Sequence, residues 1–181
     1  MENYKKFLRE AGSTILTVAI IIAITLLFMK FVAQRTDVDG ESMMYTLHDG
    51  DALIADKITY RFSDPKRFDI VIFPFAGDPD SCFIKRVIGL PGETVQIDLQ
   101  GNIYINGELL EENYGAEVIQ DPGRAIEPVV LGEDEYFVLG DNRNYSFDSR
   151  EAAVGNIKRE DIIGKTTFRV FPFDSFGKID K

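Results

Sequence analysis

The chain has one cysteine, Cys82, and one histidine, His48, among its 181 residues. A single thiol cannot close an internal disulfide, and one thiol with one imidazole falls short of the usual zinc or iron–sulfur ligand set. No carboxylate spacing suggests an all-oxygen site either, so neither a metal nor a cofactor is expected. Cys82 lies in the apolar-rich stretch CFIKRVIGL, which predicts a buried structural thiol. Positive charge is also scarce: residues 36–181 carry 15 basic against 28 acidic side chains. A body that acidic repels phosphate backbones, which excludes nucleic acid as a natural partner.

Charge of either sign is missing from one segment. AGSTILTVAIIIAITLLFM, Ala11–Met29, is nineteen residues without an ionisable group, preceded by Lys5, Lys6 and Arg9 and followed by Lys30. That length matches the hydrocarbon core of a bilayer. A cleaved secretory signal has a shorter apolar region, about 7 to 15 residues, and a small-x-small exit. Here the exit is KFVAQR, with bulky Phe31 two places before Ala33. The segment reads as an uncleaved transmembrane helix over 11–32. The positive-inside rule puts residues 1–10 in the cytoplasm and the body, 33–181, outside.

After the span come short apolar runs bounded by Gly, Asp, Asn and Pro: ALIAD at 52–56, DIVIF at 69–73, CFIKRVIG at 82–89, TVQID at 94–98, NIYIN at 102–106, YFVLG at 136–140 and IGKTTFRVF at 163–171. Their length and β-branched content predict strands, so the body is mainly β. VQIDLQGNIYINGELL reads as a hairpin system with turns near Gln100-Gly101 and Asn106-Gly107. Residues 94–135 are expected to form an inserted lobe followed by a polar surface excursion from 111. In the closing FRVFPFDSFG, Phe168, Phe171, Phe173 and Phe176 are expected in the core, with bilayer contact as the rival reading. No repeat or low-complexity tract is present.

Ser42, in GESMMYTLHDGD, is a candidate nucleophile. It needs a base and oxyanion donors. His48 is close in sequence but sits in a turn-like LHDGD, and no GxSxG surrounds Ser42 to support a hydrolase triad. A lysine can serve instead if burial keeps it neutral, because a free lysine near pKa 10.4 is neutral in only about one molecule per thousand at pH 7.4. Lys85 fits. Alternation in FIKRVIG puts Phe83, Lys85 and Val87 on one strand face and Ile84, Arg86 and Ile88 on the other.

Four ordered segments carry a resemblance: GESMMYTL at 40–47, RFDIVIF at 67–73, FIKRVIGLPGE at 83–93 and YFVLGDNRNYSFDSR at 136–150. Together with the preceding span they resemble the boxes of bacterial type I signal peptidases, membrane-tethered serine proteases with a Ser/Lys dyad. The resemblance implies an antiparallel β body with a smaller inserted β lobe. It makes Ser42 the nucleophile and Lys85 the general base. Ser146 would hydrogen-bond and orient Lys85, while Arg86, Asp141, Arg143, Asp148 and Arg150 would form a supporting polar network.

Gly40 stands where some members have serine, so the oxyanion hole is expected from backbone N–H groups around Ser42. Met43 and Tyr45 are substrate-cleft candidates; Tyr45 replaces a proline usual in the family, freeing φ and restoring a backbone donor. The implied partners are signal peptides of exported preproteins and the bilayer, with the export channel a further candidate. The implied reaction is cleavage after small residues at the first and third positions before the cut. About ten residues separate Val32 from Ser42, reaching at most about 36 Å, which keeps Ser42 near the outer membrane surface. A self-cleaving repressor protease shares this core chemistry but needs a DNA-binding domain where this chain has a span. A catalytically silent homologue that binds preproteins is the alternative from another class.

Overall fold

The computed structural model describes residues 2–179 apart from Ala76 and Ala116. It begins with helix α1, Glu2–Phe31, in which Arg9–Phe31 is long and apolar enough to cross a membrane. None of that stretch is buried against the protein. At 30 residues the helix runs about 45 Å. Only Val32 separates it from strand β1, Ala33–Asp37, and the Val32 carbonyl accepts a 2.9 Å bond from Lys57 N–H.

Strand β2, Ala52–Asp56, pairs with β1. It is followed by β3, Ile70–Phe75, β4, Asp78–Gly89, and the hairpin strands β5, Thr94–Ile97, β6, Ile103–Ile105, and β7, Glu108–Leu109. Then come β8, Val129–Val130, β9, Glu135–Leu139, β10, Ile157–Lys158, β11, Gly164–Phe171, and β12, Gly177–Lys178. Pairing is antiparallel throughout. One sheet runs β1-β2-β11-β3-β4-β9-β10 with β12 on β11, and a smaller one runs β7-β6-β5-β8. The fold is mainly antiparallel β preceded by one apolar helix.

The predicted runs become strands because their apolar residues recur at period two. On β4 the alternation holds: Val87 and Phe83 pack with Val71 and Phe73, Ile84 packs with Ile70 and Ile72, and Ile88 faces a third cluster. The hairpin turns use the expected residues, since Asn106 (φ 54°) and Gly107 (φ 83°) take the left-handed backbone that a tight hairpin requires. β1, AQRTD, was not foreseen, being polar; it is an edge strand held by its five-residue register with β2.

The small sheet does not pack alone. Val95, Ile97, Ile103 and Ile105 share a cluster with Ile88, Phe137 and Leu139 of the larger sheet. The excursion contributes Ile119, Ala125 and Leu131 to the same cluster, so it is more than a solubilising surface.

Two further expectations fail. Cys82 is exposed, because at that point β4 has run past the packed part of the sheet toward an open cleft. The four closing phenylalanines are partly or largely exposed, Phe173 at 80%. They meet edge-on in surface pairs, Phe168 with Phe176 at 5.1 Å and Phe171 with Phe173 at 5.6 Å, instead of filling the core.

Candidate active site

Residues 41–47 form a compact turn between β1 and β2. Met44 N–H bonds the Glu41 carbonyl and Leu47 N–H the Met43 carbonyl, while Met43 and Leu47 are buried and anchor the turn from below. Asn142 clamps it from the side. Its backbone N–H donates to the Ser42 carbonyl at 3.1 Å and its side-chain amide to the Glu41 carbonyl at 3.0 Å. Ser42 is thereby presented, half-buried, toward β4.

Lys85 lies where β4 passes between Val71 of β3 and the end of β9. It is 3% exposed, and its Nζ is hydrogen-bonded to Ser42 Oγ at 2.6 Å. Nζ also sits 4.9 Å from the centre of the Phe83 ring. Burial pushes the Lys85 pKa down to about 8, against the raising effect of the Asp148 and Asp141 charges, with Arg150 adding a smaller lowering effect. At pH 7.4 a group with that pKa is neutral in about a fifth of molecules.

Around the pair lies a cleft of about 280 Å³. Met43, Phe83, Ile84 and Val38 give it apolar walls, and Tyr145 and Phe147 border it. Tyr45 does not line it. That residue points outward, 58% exposed, with φ at 80°. A proline, fixed near −65°, could not occupy this backbone. Gly40 lines the cleft at φ 95°, yet its N–H is committed to Asp49 Oδ1 at 2.9 Å. Among the described residues Ser42 N–H donates no hydrogen bond, so unlike Gly40 N–H it is available to an oxyanion. His48 is exposed, away from Ser42, with its backbone N–H on Asp51.

Behind the pair lies the polar network. Arg86, 1% exposed, grips both oxygens of Asp141 at 2.8 and 2.6 Å. Asp141 Oδ2 also accepts Thr46 Oγ1–H at 2.5 Å, which links the network to the turn that carries Ser42. Asp148 accepts Gly140 N–H and Arg150 Nε–H, and Arg150 Nη2 donates to the Arg143 carbonyl. Arg143 in turn donates to the Gly140 carbonyl. All five expected network residues are buried together.

Ser146 adjoins them without the expected bond. Its Oγ is buried and has no hydrogen-bond partner among the described residues, while the Lys85 amine is taken up by Ser42 and the Phe83 ring. The close approach here requires glycine: a Cβ on Gly140 would lie 2.2 Å from Ser146 Oγ and 2.4 Å from the Ser42 carbonyl. Sequence reasoning passed over Thr46, Asn142, Tyr145 and Phe147, although all four lie inside the quoted boxes.

A family described as Signal peptidase, peptidase S26, matches residues 11–171. The chain belongs to the signal peptidase family. A probable signal peptidase I-2 from Synechocystis is 41% identical over 173 residues, covering 93% of this chain and 75% of that one. Signal peptidase I of Bacillus licheniformis is 39% identical over 176 residues, covering 90% of each chain. A crystal structure of a signal peptidase I from Enterococcus faecalis is 35% identical, with a TM-score of 0.47, covering 57% of this chain and 97% of that one. The chain is accordingly a serine endopeptidase of the signal peptidase I kind.

Proposed function

We propose that this signal peptidase is anchored by α1, with its N-terminus in the cytoplasm and its β body outside, and that it releases exported preproteins by Ser/Lys dyad chemistry. The observation that carries the reading is the 2.6 Å contact between Ser42 Oγ and a buried lysine amine at the cleft. Neutral Lys85 takes the Oγ proton as Ser42 attacks the scissile carbonyl. Negative charge then develops on the carbonyl oxygen within reach of Ser42 N–H. The Lys85 ammonium returns the proton to the leaving amine, giving the acyl-enzyme. Lys85, neutral again, draws a proton from water for the second half-reaction.

The apolar part of the cleft, beside Met43 and Ile84 in a space of about 280 Å³, suits small side chains, which supports cutting after small residues at the first and third positions before the bond. Arg86, Asp141, Arg143, Asp148 and Arg150 hold the surrounding loops, and Ser146 is a neighbour of the reacting pair in this reading.

The test is cleavage of a preprotein by the full chain in detergent micelles, beside Ser42→Ala and Lys85→Ala. The wild type is expected to release the signal peptide, with both variants down at least about a thousandfold. Equal product from all three sinks the dyad; none from the wild type favours the silent, preprotein-binding homologue.

A further inference from the structure

The polar excursion does something its composition hides. Just past β7 the chain turns back across the polar network, and three residues in five touch its arginines. Tyr114 lays its ring over the Arg86 guanidinium, 3.9 Å from the ring centre to Cζ, and is itself backed by Phe68 at 4.8 Å. Glu112 accepts a 2.6 Å bond from Arg143 Nη1, with both side chains less than a tenth exposed. Gly115 runs so close that a Cβ there would lie 2.9 Å from Arg143 Cγ and Cζ.

We propose that residues 112–115 are a strap that fixes the two arginines behind the Ser42–Lys85 pair, with Glu112 and Tyr114 as positioning residues for peptide-bond cleavage. This rests on the dyad reading above. The geometry gives each residue a separate task. Arg86 is held in its plane by Asp141 and by the Phe68 carbonyl at 2.9 Å, which leaves its face open to water; the Tyr114 ring closes that face. Asp141 is then kept dry and aligned, and through Thr46 it steadies the turn bearing Ser42.

Arg143 spans from Glu112 to the Gly140 carbonyl, and Gly140 is the point where the last box presses on Ser42 and Ser146. Burial alone would raise the Glu112 pKa, but the Arg143 hydrogen bond and charge outweigh it and hold the carboxyl below its usual range. Glu112 is therefore an anion that balances Arg143 within a buried array already containing Asp141, Asp148, Arg86 and Arg150. Neither Glu112 nor Tyr114 lines the cleft, so neither is placed to contact substrate.

The experiment measures preprotein cleavage against pH for full-length Tyr114→Leu, Tyr114→Phe and Glu112→Gln in micelles, with folded fraction followed by circular dichroism. Ser42→Ala runs alongside, so a failure of the dyad reading shows there and nowhere else. Tyr114→Leu is expected to lower kcat about tenfold or more per folded molecule with KM within about twofold. Tyr114→Phe, which keeps the ring, stays within about twofold of wild type. Glu112→Gln leaves Arg143 unbalanced, which disfavours a second cation at Lys85 and moves the acid limb of kcat/KM down by about half a pH unit.

A purely structural strap lowers the melting temperature without moving that limb. An unmoved limb in Glu112→Gln, or equal losses from Tyr114→Phe and Tyr114→Leu, overturns the proposal. If Tyr114→Leu fails to fold, the Glu112→Gln limb decides alone.

Discussion

Lys85 and Arg86 are neighbours on one strand, both cationic side chains and both almost wholly buried, yet their surroundings are opposite. On one face Lys85 meets a hydroxyl and an aromatic ring and, among the described residues, forms no ion pair with a carboxylate. On the other, Arg86 has both oxygens of Asp141, a backbone carbonyl and a covering ring. A guanidinium keeps its charge under almost any burial, whereas an amine under desolvation gives its proton up. The strand therefore carries a permanent cation and a titratable one, one residue apart, and the proposed dyad assigns the first to architecture and the second to chemistry. At nearly equal depth of burial, the chemistry of the head group and the partners supplied to it decide which is which.

Substitutions should separate the two faces. Arg86→Met strands the Asp141 carboxylate in a dry site, and thermal or denaturant unfolding in micelles should show a loss of about 3–5 kcal/mol. Lys85→Met should do the reverse, abolishing cleavage while stabilising the body by up to about 3 kcal/mol at pH 7, since the protein no longer holds a desolvated ammonium. The sign follows from the lowered pKa. Below about 8 the lysine is protonated both folded and unfolded, so the cost of burying its charge is present in full. Between that value and the unfolded one the unfolded chain binds the extra proton, so wild-type stability rises with pH. The advantage of Lys85→Met should shrink over the same interval; a constant advantage breaks the comparison.

The pH profile of cleavage sharpens it from the other side. kcat/KM should climb with an inflection near 8 as Lys85 loses its proton, where an undisturbed lysine would keep it climbing past pH 9. The smallest effect is expected away from both faces. Tyr45→Gly relieves a left-handed backbone and should raise stability by about 0.5–1 kcal/mol with little change in rate, whereas Tyr45→Pro should lower the melting temperature.

Much of this was readable in the chain itself. The longer central strands of both sheets, β2 to β6, β9 and β11, declared themselves through apolar runs, and Lys85 through its place in one, whereas the polar edge strand β1 and the two-residue strands β8, β10 and β12 carry no such pattern. Ser42 was singled out only by its neighbours in the boxes, because a lone serine has no pattern of its own. What escaped was decided by close packing between distant segments. Asn142 looks like any loop asparagine until the turn at Glu41–Ser42 is folded against it, and Tyr114 and Glu112 look like solvated excursion residues until Arg86 and Arg143 arrive beneath them. Cys82 and the closing phenylalanines misled in the other direction. Local apolarity predicts burial only if another layer covers it, and the sheet leaves those positions open to the cleft and to the surface.

The junction between α1 and β1 leaves only Val32 between helix and sheet, and Lys57 closes a hydrogen bond onto it. A chain held in a bilayer by that helix has almost no linker to pay out. In the anchored arrangement proposed above, the cleft would travel at a nearly constant height, and meeting a substrate would become a search over a surface, run at the pace of lateral diffusion, in which only the in-plane position and heading of the enzyme have to be found.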